Sequence, residues 1–398
     1  MAKEIFVTGY GIASALGAGK EATLSALRER RTGIAPMRYL KTAHAEFPVG
    51  EVKMSNGEMM RALRIPEAAV ATRTSLMGTI AVREALEHAR IRGQSGLRVA
   101  LISGVTVGGM DKTELYYLDF LENDTKNAYI AAHDCGACTE MIADYFGIFS
   151  AVQTISTACS SAANAIMRGA MLLSSGRADV AVAGGCECIT KFHLNGFNTL
   201  MILDRKPCRP FDAHRAGLNL GEGAAYLVLE AEDTLRGRGA EPLCRLSGAA
   251  NTCDAYHQTA SSPNGEGAYL SMAKALEDAR LTPKDVGYIN AHGTGTENND
   301  LSEGRAIQRV FGDSVPPVSS TKPFTGHTTS AAGGVEAVIA LLALQHSFIP
   351  VNLNFEQPMP ELAFTPAVTE RPPVPLRHVL SNSFGFGGND TSLIFSTL

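Results

Sequence analysis

Residues 153–173 read QTISTACSSAANAIMRGAMLL. A short extended run at 153–156 gives way to a turn of small residues, then to a segment at 160–173 that is apolar on nearly every side. A helix hydrophobic all round belongs inside a core, not on a surface. The stretch therefore predicts a strand, a tight turn and a buried helix, with Cys159 on the turn. Such a turn lifts a side chain above the end of a sheet, as nucleophile elbows do. The unpaired N–H groups and dipole of the helix start favour thiolate over thiol. The small neighbours Thr157, Ala158, Ser160 and Ser161 leave room for a reactant to approach the sulfur. The plainer reading of a lone cysteine in an apolar segment is a buried structural thiol.

Working outward, the pattern repeats. Strands are predicted at 5–8, 99–103, 153–156, 180–183 and 225–229, with helices at 21–30, 72–90, 139–146 and 160–173. The second half predicts strands at 243–249, 287–291, 318–319, 379–382 and 392–395, and helices at 267–279, 301–310 and 331–345. Both halves follow the order βαβαβαββ, a weak internal duplication. The stretch GRGAEP at 237–242 is the natural seam, dividing residues 1–240, which carry Cys159, from residues 241–398. The second half has its own small apolar helix, AAGGVEAVIALLALQ at 331–345. Two buried helices between two similar sheets make an α/β fold with five layers, αβαβα, about a pseudo-two-fold axis. His327, in STKPFTGH, is then the topological counterpart of Cys159. His292 opens the loop His-Gly-Thr-Gly-Thr at the C-terminal end of a strand, where α/β sheets bind ligands. The duplication brings sulfur and two imidazoles toward one cavity.

Composition removes other classes. A net charge of −5 without a Lys/Arg run argues against a nucleic-acid partner. No apolar stretch reaches the length of a membrane span, and MAKEIFVTGYGIAS runs straight into a strand, so the cytosol is the expected compartment. Eight cysteines then read as reduced thiols. Cys135 and Cys138 are spaced C-x-x-C, but no second pair completes a zinc set, so no metal is expected. Gly9-x-Gly11 after the first strand suggests dinucleotide binding, yet the third glycine and the later acidic residue are missing.

Further motifs lie along nearly the whole chain in order: VTGYGIASALG, STACSSAANAI, RPFDAHRAGLNLGEGAAYLVLE, DAYHQTASSP, INAHGTGTENNDLSE, SSTKPFTGHTTSAAGGVEA and SNSFGFGGND. With these the chain resembles the elongating β-ketoacyl–acyl-carrier-protein synthases of the thiolase-fold superfamily. The resemblance implies a decarboxylative Claisen condensation in fatty acid, polyketide or polyene-type elongation. Cys159 would carry the acyl group, and His292 and His327 would hold the malonyl carbonyl. Lys322 and Glu336 would order the site around His327, and the N–H groups of Cys159 and Phe384 would form the oxyanion hole. Thr294, Thr296 and Thr259 would contact the pantetheine arm. Val107, Met110, Phe197 and the gating Phe384 would line the acyl pocket. No bound cofactor is implied, since substrates arrive on the phosphopantetheine of an acyl carrier protein. The implied assembly is a homodimer, or a heterodimer with a related ketosynthase or chain-length-factor subunit. The Cys-His-His set separates the chain from Cys-His-Asn initiating enzymes, and retention of Cys159 separates it from non-catalytic partner subunits, which are the alternative. Two departures stand out: GGND replaces the familiar GGTN, and Met201 stands where a carrier-docking Arg is expected. Arg61, Arg64 and Arg73 are other candidate basic contacts for an acidic carrier.

Overall fold

The computed structural model describes residues 3–93, 96–369 and 375–398. Among these residues, eleven strands form the framework: β1 (Ile5–Ser14), β2 (Gly17–Ala18), β3 (Val99–Gly104), β4 (Phe149–Ile155), β5 (Val180–Glu187), β6 (Gly223–Ala231), β7 (Cys244–Cys253), β8 (Tyr288–Asn290), β9 (Val318–Ser319), β10 (His378–Gly385) and β11 (Asn389–Ser396). Their order is β4-β3-β5-β6-β1-β7-β11-β10-β8-β9, with β2 paired to β1. The path reads the same from both ends: a parallel outer trio (β4-β3-β5 or β9-β8-β10), then two antiparallel strands. The expected pseudo-symmetry is therefore in the strand order. The two sheets are nevertheless not separate, because β1 pairs with β7 through Ile5–Leu246, Phe6–Arg245 and Val7–Cys244. Antiparallel pairing there satisfies backbone groups that two free edges would leave open.

The layers follow from burial. Helix Ala332–His346 is buried from Ala332 to Leu344, and helix Ser161–Ser174 is buried along most of its length. Side chains from both enter one core with residues of β5, β6, β1 and β11. Small residues let the layers approach: a Cβ on Gly333 would lie 2.7 Å from the Ala163 nitrogen. A second core joins helix Arg73–His88 to the outer face of the first half-sheet, and a third joins helices Glu266–Ala279 and Glu297–Phe311 to the second. Gly9 and Gly11 belong to this packing. A Cβ on Gly11 would sit 2.1 Å from the Ala81 carbonyl oxygen of helix Arg73–His88, so these glycines serve close strand–helix contact, not phosphate binding.

The structure adds helices that the sequence pattern did not announce, at Asn56–Leu63, Met110–Glu122, Asn127–Ala131, Lys191–Thr199 and Glu232–Arg238. Helix Met110–Glu122 buries no residue and exposes Leu115, Tyr117, Leu118 and Leu121, so no core-facing stripe marks it. β4 lies at one end of the strand order, with Val152 40% exposed. Among the described residues no helix is long and apolar enough to cross a membrane.

Candidate active site

Cys159 stands just before Ser160, the N-cap of helix Ser161–Ser174. The turn beneath it is unusual, because Ala158 adopts φ +52°. A non-glycine residue in this region is held only by its surroundings. Ser161 clamps the turn, its hydroxyl donating to the Ala158 carbonyl at 2.6 Å and accepting from the Thr157 N–H at 2.9 Å. Gly385 of β10 lies against it, where a Cβ would meet the Thr157 oxygen at 2.8 Å.

His327 Nε2 lies 3.0 Å from the Cys159 sulfur. The His327 backbone is held between the Asn219 carbonyl at 2.7 Å and the Gly221 N–H at 2.9 Å, which fixes the ring's origin from the first half. Its Nδ1 has no hydrogen-bond partner among the described residues. The His292 ring crosses that of His327 edge to face, centroids 5.4 Å apart and planes at 86°. Glu303, in helix Glu297–Phe311, accepts from the N–H groups of His292 and Gly293 at 2.8 and 2.7 Å and so fastens the strand-end loop. Lys322 places its ammonium 3.3 Å from His292 Nδ1 and also donates to the His292 carbonyl and the Glu336 carboxylate. An ammonium has only donors, so Nδ1 accepts and the His292 proton sits on Nε2.

The expectation of a favoured thiolate does not hold in the resting site. Burial pushes the Cys159 thiol up to about 12, against the opposing pull of Lys322 and of the Phe386 and Cys159 N–H groups. Desolvation outweighs a helix start when the sulfur is this deeply buried. Burial also drives both imidazoles well below the usual histidine range, helped by the Lys322 charge. Thiol and neutral imidazoles thus face each other. Burial raises Glu336 to about 7, opposed by Lys322.

Two cavities meet at Cys159. The first, about 400 Å³, has Cys159, His292 and His327 in its wall together with Thr259, Thr294, Thr296 and Phe384. The second, about 580 Å³, runs from Cys159 past Phe197 to Val107 and Met110. The structure separates the two phenylalanines of SNSFGFGG in a way that revises the expectation. Phe384 lines only the first of these cavities and packs 5.8 Å from His292, whereas Phe386 borders both and stacks on Phe197 at 5.8 Å. It is also the Phe386 N–H, not that of Phe384, that points at the Cys159 sulfur. Phe386 heads the β10–β11 hairpin turn, where Gly387 and Gly388 take φ +83° and +76° and glycine is required. Sequence could not choose between the two, since residues two apart share a strand face.

Other expectations are revised too. Arg73 is 8% exposed and locked to Glu222 at 2.5 Å, so it offers no surface contact, while Arg61 and Arg64 are exposed. Met201 is 87% exposed at the mouth of the first cavity. Glu303 and His193, buried beside the histidines, were not singled out because nothing in a lone Glu or His marks a loop fastener or a pocket wall.

Comparison with known proteins supplies the family. Residues 2–234 match the Beta-ketoacyl synthase N-terminal domain and residues 243–356 the C-terminal domain. A 3-oxoacyl-[acyl-carrier-protein] synthase 2 of Staphylococcus aureus is 31% identical, covering 99% of this chain and 98% of its own length. Nodulation protein E of Rhizobium meliloti is 34% identical, covering 99% of both. Among solved structures, the ishigamide ketosynthase/chain length factor superposes with a TM-score of 0.93 at 28% identity over the full length of both chains. The ketosynthase ApeO, in complex with its chain length factor ApeC from Xenorhabdus doucetiae, does so with 0.84 at 28% identity, over 100% of this chain and 98% of its own. The chain belongs to the beta-ketoacyl synthase family, with the mixed α/β architecture of the thiolase-fold ketosynthases.

Proposed function

We propose that this chain is a catalytically active condensing subunit, joining a malonyl unit to an acyl group held on Cys159 and releasing CO2 and a 3-oxoacyl thioester. The observation that carries this reading is the convergence of the Cys159 sulfur, His327 Nε2 at 3.0 Å and the His292 ring on the junction of two cavities. One cavity suits the arm that delivers substrate, with Thr259, Thr294 and Thr296 along it; the other suits the acyl chain, with Val107, Met110 and Phe197. The names of relatives point to an acyl carrier protein as the donor.

In the first half-reaction the Cys159 thiol passes its proton to His327 Nε2 as sulfur attacks the incoming thioester. The oxyanion is met by the N–H groups of Cys159 and Phe386, and the departing carrier sulfur takes the proton back. In the second, His292 Nε2–H and His327 donate to the malonyl thioester oxygen while the carboxylate leaves as CO2. Each such donor is worth roughly 3–4 kcal/mol when aimed at developing charge. The enolate carbon attacks the acyl thioester, the same two amides hold the oxyanion, and Cys159 thiolate departs. His327 must accept in one half and donate in the other, so its proton moves between Nδ1 and Nε2 over the cycle. Lys322 and Glu336 keep His292 a donor.

The protomer is proposed to consist of halves 1–240 and 241–398 and to pair through the open edge at β4 with an identical or related chain. The non-catalytic reading rests on the chain-length-factor complexes among the similar structures. Intact-mass analysis of the chain offered acyl-loaded carriers decides between them. A thioester adduct that vanishes in Cys159→Ser supports catalysis. Full condensation by a partner complex whose Cys159 has been alkylated with iodoacetamide assigns this chain the non-catalytic role.

A further inference from the structure

Asn389 has no part in the mechanism above, yet it sits at the centre of the polar contacts that tie the two halves together at the nucleophile. Its Oδ1 is met by three donors: the Ser160 hydroxyl at 2.7 Å, Asn164 Nδ2 at 2.8 Å and Asn251 Nδ2 at 2.7 Å. Ser160 and Asn164 belong to the start of the Cys159 helix, Asn251 to β7, and Asn389 itself opens β11. The surrounding groups reinforce the knot. Asn164 also donates to the Thr157 hydroxyl at 2.9 Å and accepts from Thr391 at 2.9 Å, and Asn251 donates to Thr391 at 2.9 Å.

The position of this knot gives it a task. Asn389 pairs with Gly385 across the hairpin whose turn carries Phe386. Ser160 follows Cys159 directly, and the turn beneath contains the left-handed Ala158. One side-chain oxygen therefore links the hairpin bearing one oxyanion amide, from Phe386, to the helix start bearing the other, from Cys159. Two donors on different halves of the chain serve one developing charge only if their separation is held closely.

We propose that Asn389 is a positioning residue that sets the spacing of the two oxyanion amides, acting on the steps at the Cys159 thioester and not on malonyl decarboxylation. This rests on the proposed condensing reaction. Among the described residues the hydrogen bonds of the Asn389 side chain go to Ser160, Asn164 and Asn251 and to neither histidine of the proposed malonyl site, so the two kinds of step are separable.

The test compares wild type, Asn389→Leu, which removes the acceptor at similar size, Asn389→Ser, which shortens it beyond reach, and Asn389→Asp, which keeps an accepting oxygen. Two rates are read on the purified full chain: acyl-Cys159 formation by intact mass, and CO2 release from a malonyl carrier alone. The Leu and Ser variants are expected to lose about 100-fold in acylation with carrier KM unchanged. CO2 release is expected to stay within about two-fold, and Asp to recover most of the acylation. Equal loss of both rates, or unchanged acylation in both the Leu and Ser variants, overturns the proposal. Absence of any acyl adduct on the wild type overturns the condensing reaction itself, which separates the two failures. The Ser variant keeps the test open if Leu does not fold.

Discussion

Three donor hydrogens on Lys322 meet three acceptors, His292 Nδ1, the His292 carbonyl and Glu336. The lysine is 1% exposed, so its task is internal: it keeps the His292 proton on Nε2. Lys322→Met is expected to lower decarboxylation by about 100-fold while acyl-Cys159 still forms, as read by CO2 release and intact mass. Leaving Glu336 buried without its cation also costs about 3–5 kcal/mol of stability, so its melting temperature falls. The thiol makes a separate prediction. Because burial lifts Cys159 to about 12, its alkylation rate should go on climbing roughly tenfold per pH unit from pH 8 to 10, where an exposed thiol levels off. Site-resolved mass spectrometry follows this directly.

Asp390, the last residue of GGND, is a third case. Burial, together with the carboxylates of Asp254 and Glu303, raises it from 3.8 to about 8. An acid whose folded value lies above its unfolded value binds its proton more tightly when folded. Its contribution to stability is therefore full below pH 3.8, declines between there and about 8, and is constant above. Asn in its place has no proton to lose. Asp390→Asn should gain up to about 5 kcal/mol at pH 8 and almost nothing from this source at pH 4. Urea unfolding at the two pH values measures it, and an equal gain at both would remove the carboxyl repulsion as the cause.

At the scale of elements, close packing rather than propensity decides which substitutions the fold tolerates. β1 lies so near helix Arg73–His88 that Gly11→Ala forces backbone apart, since the added carbon would lie 2.1 Å from a carbonyl oxygen. A loss of about 2 kcal/mol is expected, seen as a lower urea midpoint at unchanged slope. The same scale explains what could be read beforehand. The two buried helices were legible because unbroken small and apolar residues have no other place to go. The stretch at 110–122 was not, because its leucines and tyrosines face outward from this chain and match no core of its own. The hairpin SNSFGFGG showed that an aromatic belonged at the site, but whether residue 384 or 386 supplied the amide depended on where β10 ended, at Gly385.

For the whole molecule, the sheet has an open edge at β4 and an apolar helix, Met110–Glu122, in which no residue is buried. An edge strand with exposed apolar residues is a pairing site, and an added charge blocks it. Val152→Lys is expected to shift the sedimenting mass from a dimer toward 42.1 kDa; an unchanged dimer mass would move the interface elsewhere. The sequence by itself determined the duplicated α/β plan and the buried helix pair, and it singled out the cysteine and two histidines as candidates, because hydrophobic period and motif order are local properties of the chain. Only the tertiary structure decided that β1 and β7 fuse the half-sheets, that Phe386 rather than Phe384 faces the sulfur, and that the resting thiol is protonated. These depend on distances between residues far apart in the chain and on the exclusion of water, and neither quantity is written in any one segment.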